Sequence, residues 1–177
     1  MAVFQKDEVL QRFSQLDDDL LALYGTSSRF ELVIVGGSAL MVMGLASHER
    51  FTTDIDILVA SKELEQLLER YDMNTDVSTY LYKYPENWQQ RKKRIPFEGQ
   101  VLDVYTLSNE DLAITKMLAW REVDKKDLGD LLCNDCLELS KIEGILKDVT
   151  EVQINLDADE YSSLMARWAE LKESNLL

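Results

Sequence analysis

The hydrophobic pattern switches from a helical period to a strand period and back as the chain is read. Between residues 5 and 24, Val9, Leu10, Phe13, Leu16, Leu20, Leu21 and Tyr24 recur at three- and four-residue steps, which predicts an amphipathic helix. The polar break GTSSR ends it. The aliphatic run ELVIV then predicts a short buried strand, and Gly36-Gly37-Ser38 opens a second apolar helix through ALMVM, ending near Gly44. A polar loop, LASHERFTT, leads into DIDILVA. There a two-residue period sends Asp54 and Asp56 to one side of a strand and Ile55, Ile57 and Val59 to the other. Ser61 is the expected N-cap of a helix carrying Leu64, Leu67, Leu68 and Tyr71 on one face.

Residues 72–93 carry no clear period and are broken by Pro85. Beyond them RIPF and VLDVYTL predict two strands joined by a tight turn at Glu98-Gly99. Ser108 then caps a helix with Asp111 in its first turn and Leu112, Leu118 and Trp120 on its buried side. Further helices are expected near 124–136, 140–148 and 159–173. The expected fold class is α/β (α+β): a small mixed β-sheet flanked by helices, followed by a helical C-terminal segment. This reads as a single domain over 1–177, with a core at 1–107 and the helical segment at 108–177.

Composition narrows the classes. A chain of 177 residues, 46% hydrophobic, can bury a full core without disulfides or metal staples. No apolar run approaches the ~18 residues of a membrane span, so no membrane partner is expected. The opening MAVFQKDEVLQRF mixes charges rather than running basic then apolar, so a cytoplasmic location is expected. Cys133 and Cys136 form a lone C-x-x-C, and the one histidine, His48, is distant in sequence. A zinc site would need two more soft ligands, so a reduced pair is expected. The net charge of -14 repels nucleic acid over most of the surface. The exception is RKKR, Arg91 to Arg94, which reads either as a solvated face or as a local landing site for phosphates.

Three pieces carry chemistry. The strand–glycine–helix start at Gly36, Gly37 and Ser38 is a pattern used to bind anions, and helix-starting turns also use it routinely. Asp54 and Asp56 repel one another on one strand face, a repulsion that a hard divalent cation would remove. Asp103, between Leu102 and Val104, is a third acid on a later strand, where a half-buried carboxylate needs a reason. A strand beside DIDILVA would bring it to the pair. Three carboxylates facing a glycine-led helix describe metal-assisted phosphoryl or nucleotidyl transfer.

The order GGSAL, helix and loop, R-x-T-x-D-I-D (Arg50, Thr52, Asp54, Asp56), NWQQR, VLDVYTLSNEDLAITKMLAWR and DKKDLGDLL resembles the polymerase-beta-type nucleotidyltransferase superfamily. Within it the chain is most similar to the minimal bacterial branch of AbiEii-like toxins and a related domain-of-unknown-function group. The resemblance spans roughly residues 30–135. It implies nucleotide binding by Gly36, Gly37, Ser38, Arg50, Lys116, Asp127 and Asp130. It also implies Mg2+ (or Mn2+) held by Asp54, Asp56 and Asp103, with Asp54, Asp56, Asp103 and Lys116 catalytic. Asp127 and Asp130 would orient Lys116 or Arg121. The implied partners are a nucleoside triphosphate, a tRNA/RNA or protein hydroxyl acceptor and a cognate antitoxin. Two other readings stand beside this one: an aminoglycoside-type small-molecule nucleotidyltransferase, which the acidity favours, and a non-catalytic nucleotide-binding or antitoxin-like module.

Overall fold

The computed structural model describes residues 4–46, 51–59, 64, 67–77, 83–148, 150–152 and 155–174. The chain forms two compact units. The first is Met1–Thr79 with Lys92–Thr106, and the second is Tyr80–Arg91 with Leu107–Leu177.

In the first unit, α1 (Lys6–Tyr24) begins with acids in its first turn, and the Gln5 N–H donates to Glu8 Oε2 at 2.7 Å. Val9, Phe13, Leu16 and Leu20 are buried at the spacing the sequence predicts. Its last turn departs from that reading, because Leu23 and Tyr24 are exposed. The strands are β1 (Phe30–Ile34), β2 (Ile55–Val59), β3 (Met73–Asn74), β4 (Lys93–Arg94) and β5 (Leu102–Thr106), and α2 (Gly36–Val42) follows β1 directly. They make one mixed sheet of order β3-β2-β1-β5-β4. β1 is central, antiparallel to β2 and parallel to β5, and β2 is parallel to β3. Leu32 lies opposite Val104, and Ile34 lies opposite both Thr106 and Ile57, so these side chains share one fully buried face.

Sequence and structure differ between residues 72 and 107. β3 lies in the stretch without a period, and the strand expected at RIPF is instead Lys93–Arg94, ending before Pro96. The connection into β5 is a wide loop organised from outside. Asp17 of α1 is buried, and its carboxylate accepts from the N–H groups of Gln100 (2.7 Å), Val101 (2.9 Å) and Leu102 (2.8 Å). A side chain at Gly99 would lie 2.3 Å from the Leu102 carbonyl, so the loop closes only around hydrogen there. Residue Ser61, the expected N-cap, lies outside the described residues.

In the second unit, α3 (Trp88–Arg91) precedes α4 (Asn109–Ala119), α5 (Glu122–Cys133), α6 (Leu139–Lys147) and α7 (Ala158–Ser174). Ser108 caps α4 as expected, its Oγ accepting from the Asp111 N–H at 3.0 Å. α4 is buried along most of its length and packs against α5, α6 and α7. Trp120 departs from the expected helix face. It ends α4 in the left-handed region at φ 53, its N–H returning to the Lys116 carbonyl at 2.8 Å. Among the described residues no helix is long and apolar enough to cross a membrane.

Polar groups on so enclosed a helix need partners. Asp111 has no exposed side-chain surface, and Arg91 bonds it through Nε (3.0 Å) and Nη2 (2.8 Å). Arg91 also reaches Glu151 at 3.1 and 3.0 Å, and Asn87 Nδ2 donates to the same carboxylate at 2.6 Å. Burial by itself would raise the Glu151 carboxyl, but the bonds from Arg91 and Asn87 outweigh it and hold the group below its ordinary value of 4.5. The unfolded chain therefore binds more protons in acid, and this stabilisation, complete above about pH 4.5, is lost as pH falls through the folded-state value. Trp88, Trp120 and Trp168 all belong to this unit, so intrinsic fluorescence reports its unfolding. We expect Glu151→Gln to lower stability at pH 7 by about 2 kcal/mol, the scale of hydrogen bonds to a charged group. The gap to wild type should close as pH is lowered from 5 to 3. Fluorescence-detected urea melts across that range check both.

Candidate active site

The chain leaves the end of β1 and turns at Gly36 into α2. Gly36 has φ 69, a left-handed conformation that costs an L-residue about 1–2 kcal/mol. The turn is held from β2, where the Asp56 carbonyl accepts from the Val35 N–H at 2.9 Å. A Cβ at Gly36 would lie 2.9 Å from Asp56 Oδ2, closer than real Cβ atoms approach, so the missing side chain is what lets the carboxylate reach the turn. Gly37 lies in the first turn of α2. Ser38 is buried, and its hydroxyl donates to the Val35 carbonyl at 3.0 Å. Its proton is therefore turned back onto the chain, leaving the oxygen as acceptor.

Asp54 is exposed, one residue before β2, and strand alternation puts it on the Asp56 side. Its approach is fixed by the Thr52 hydroxyl on the Asp54 carbonyl (2.8 Å) and by an isolated antiparallel bridge between Phe4 and Thr52. The pairing of β1 with β2 shifts by one residue between Val33↔Val59 and Ile34↔Ile57. Irregularities of this kind re-aim the side chains beyond them, here those of Asp56 and Asp54.

Asp103 is not brought to this pair. β1 stands between β2 and β5, and Asp103 lies opposite Glu31 at the start of β1, whereas Asp56 lies beside Val35 at its end. Four residues at about 3.3 Å each give about 13 Å along the strands, and two strand spacings add about 10 Å across them. The acid answers instead to Arg94, which pairs with it across the sheet. Two more members of the basic run are also engaged. Lys92 pairs with Glu31 and lies 4.4 Å from the Tyr105 ring centroid, and Arg91 is held by Asp111 and Glu151. Lys93 is exposed and alone among the four has no such carboxylate contact among the described residues.

Lys116, Asp127 and Asp130 belong to the second unit. Lys116 is 5% exposed, its ammonium 2.7 Å from Asp127 and 3.0 Å from Asp124. Asp124 also receives Arg121 Nε at 2.7 Å. Burial would raise the Asp124 carboxyl, but the Arg121 bonds and the Lys116 charge hold it below its ordinary value of 3.8. Sequence reasoning missed Asp124; its signal was position, three residues into a helix after Arg121 and one turn before Asp127. Asp130 is half-buried one turn further on, its carbonyl accepting from the Asn134 backbone and side chain. Arg50 lies outside the described residues.

Among the described residues no cluster of three or more His, Cys, Asp or Glu side chains could hold a metal. Asp54 and Asp56 are still a suitable donor set for magnesium. That ion takes one or two carboxylates and completes its octahedron with water and substrate phosphates. The glycine cradle facing Asp56 Oδ2 leaves room that a side chain would fill.

The five-stranded mixed sheet and its helices form an α+β fold of nucleotidyltransferase-like type. Residues 11–176 match the family described as nucleotidyltransferase of unknown function (DUF6036), and the chain belongs to that family. No curated protein and no solved structure matches it significantly.

The Gly36–Asp56 approach yields a test with an internal control. Gly44 has a similar φ of 71, but a Cβ there would meet only Lys6 Nζ at 3.8 Å. Gly44→Ala should lose about 1 kcal/mol from backbone strain alone. Gly36→Ala should lose more, and any stabilisation by manganese should shrink. Equal losses, with equal manganese responses, would show that nothing crowds the carboxylate.

Proposed function

We propose that this protein is a magnesium-dependent nucleotidyltransferase that moves a nucleoside monophosphate from a nucleoside triphosphate to a hydroxyl acceptor. The observation that carries the reading is the approach of Asp56 Oδ2 to the Gly36 turn, in a chain whose family is described as nucleotidyltransferases. The acceptor oxygen bonds the α-phosphorus, the bond from that phosphorus to pyrophosphate breaks, and the acceptor proton passes to solvent. Asp54 and Asp56 would hold the magnesium, which when bound neutralises charge on the phosphate oxygens. Gly36 and Gly37 let the backbone approach those phosphates without side-chain hindrance, and Ser38 braces the turn. Lys116, neutralised by Asp124 and Asp127, organises the helices of its own unit.

The resemblance to AbiEii-like toxins supports a toxin role with a cognate antitoxin and a tRNA or protein acceptor. A second reading of the acceptor draws on the basic run. With Arg91, Lys92 and Arg94 engaged by carboxylates and a net charge of -14, a small cationic acceptor of the aminoglycoside type is electrostatically better served than a polyanion.

The test is incubation with each α-labelled nucleoside triphosphate, magnesium or manganese, and separate RNA, protein and small-molecule fractions of a cell extract. Wild type should release pyrophosphate and label one fraction, and Asp56→Asn should lower the rate at least 100-fold. Manganese should raise the melting temperature of wild type but not of the Asp54→Ala, Asp56→Ala double variant. Absence of labelling in every fraction, with no nucleotide or metal response in the melts, would refute the enzyme reading.

A further inference from the structure

We infer that Asn74, on β3, is the positioning residue that aims the Asp56 carboxylate at the glycine turn. This rests on the metal site proposed at Asp54 and Asp56. The strand beside β2 on the side away from β1 is β3, and its parallel register sets Asn74 opposite Asp56. The amide has one orientation available to it. Asn74 Oδ1 accepts from the Asp76 N–H at 2.9 Å, so the other end of the amide must donate, and Nδ2 meets Asp56 Oδ1 at 3.1 Å. With Oδ1 held on the β3 side, Oδ2 is the oxygen turned toward Gly36, 2.9 Å from where a Cβ would stand.

β3 itself is tied down at its entry. Asp72, at φ 56, receives Arg12 of α1 at 2.9 Å, and the Tyr71 hydroxyl donates to Asp19 Oδ2 at 2.6 Å. Burial and the Asp19 carboxylate push the Tyr71 phenol up to about 12, so it remains a donor throughout the neutral range. The amide is thus presented from a fixed strand end. It acts through Asp56 rather than as a ligand, because the end of the amide that meets Asp56 is the Nδ2 donor, which offers a cation no lone pair.

The experiment measures Mn2+ binding by the free-ion paramagnetic signal, together with thermal melts with and without Mn2+. Asn74→Ala should weaken Mn2+ about tenfold or more, the usual loss when a group orienting a metal ligand is removed. Asn74→Asp, nearly the same shape, places a second negative charge against Asp56. Its metal-free melting temperature should fall below that of wild type, and its rise on adding Mn2+ should exceed the wild-type rise. If wild type responds to Mn2+ while both variants bind and melt as wild type does, Asn74 does not position Asp56 and the inference is overturned alone. If wild type and the Asp54→Ala, Asp56→Ala variant respond identically to Mn2+, the metal reading fails and carries this inference down with it.

Discussion

The close approach of Asp56 to Gly36 is the contact on which the rest of the first unit converges. It needs a residue without a Cβ at a left-handed turn and a strand that presents its acid at that level. The Val35 N–H on the Asp56 carbonyl fixes the level, and the one-residue shift in the β1–β2 pairing sets what faces the turn. A carboxylate brought this near to a backbone carries its charge where an anion's phosphates would come only with a cation between them. In the function proposed above, a divalent ion held by Asp54 and Asp56 would screen the charge that the DID motif gathers on one strand face.

Helix α1 does the holding. One end of the sheet is tied to it through Arg12 with Asp72 and Asp19 with Tyr71, next to β3. The loop entering β5 is tied to it by three amides on Asp17. A single amphipathic helix thus supplies apolar cover through Val9, Phe13, Leu16 and Leu20 and polar anchors at two separated places. Charge-assisted bonds to backbone N–H groups are stronger than neutral ones, and losing one strands buried donors. This gives the run Asp17-Asp18-Asp19 two structural members.

In the second unit the same logic is applied to cations. Arg91 and Lys116 each sit between two carboxylates, on and beside the most enclosed helix of the unit. Such pairs contribute little net stability when complete, but removing one member leaves a buried charge that costs about 3 kcal/mol or more. Arg91, Lys92, Arg94 and Lys116 are each paired with carboxylates.

Periodic signals were legible because they are local: α1, the strands at ELVIV and DIDILVA, and the capped helix after Ser108 fall near where the pattern puts them. Gly36 was legible as a turn, though not what it makes room for. Asp17 and Asp124 were not legible as structural acids, since an acid on a helix reads as solvated until its distant donors are known. The third acid shows the deeper limit. Asp103 lies in a strand pattern as good as that of Asp56, but which strands are neighbours is decided by how the chain crosses the sheet. Here the crossover puts β1 between them and leaves the other edge of β2 to a two-residue strand in a stretch with no period at all. The residue beside Asp56 is consequently an amide that donates rather than a carboxylate that repels, a substitution of chemistry that only the topology could disclose.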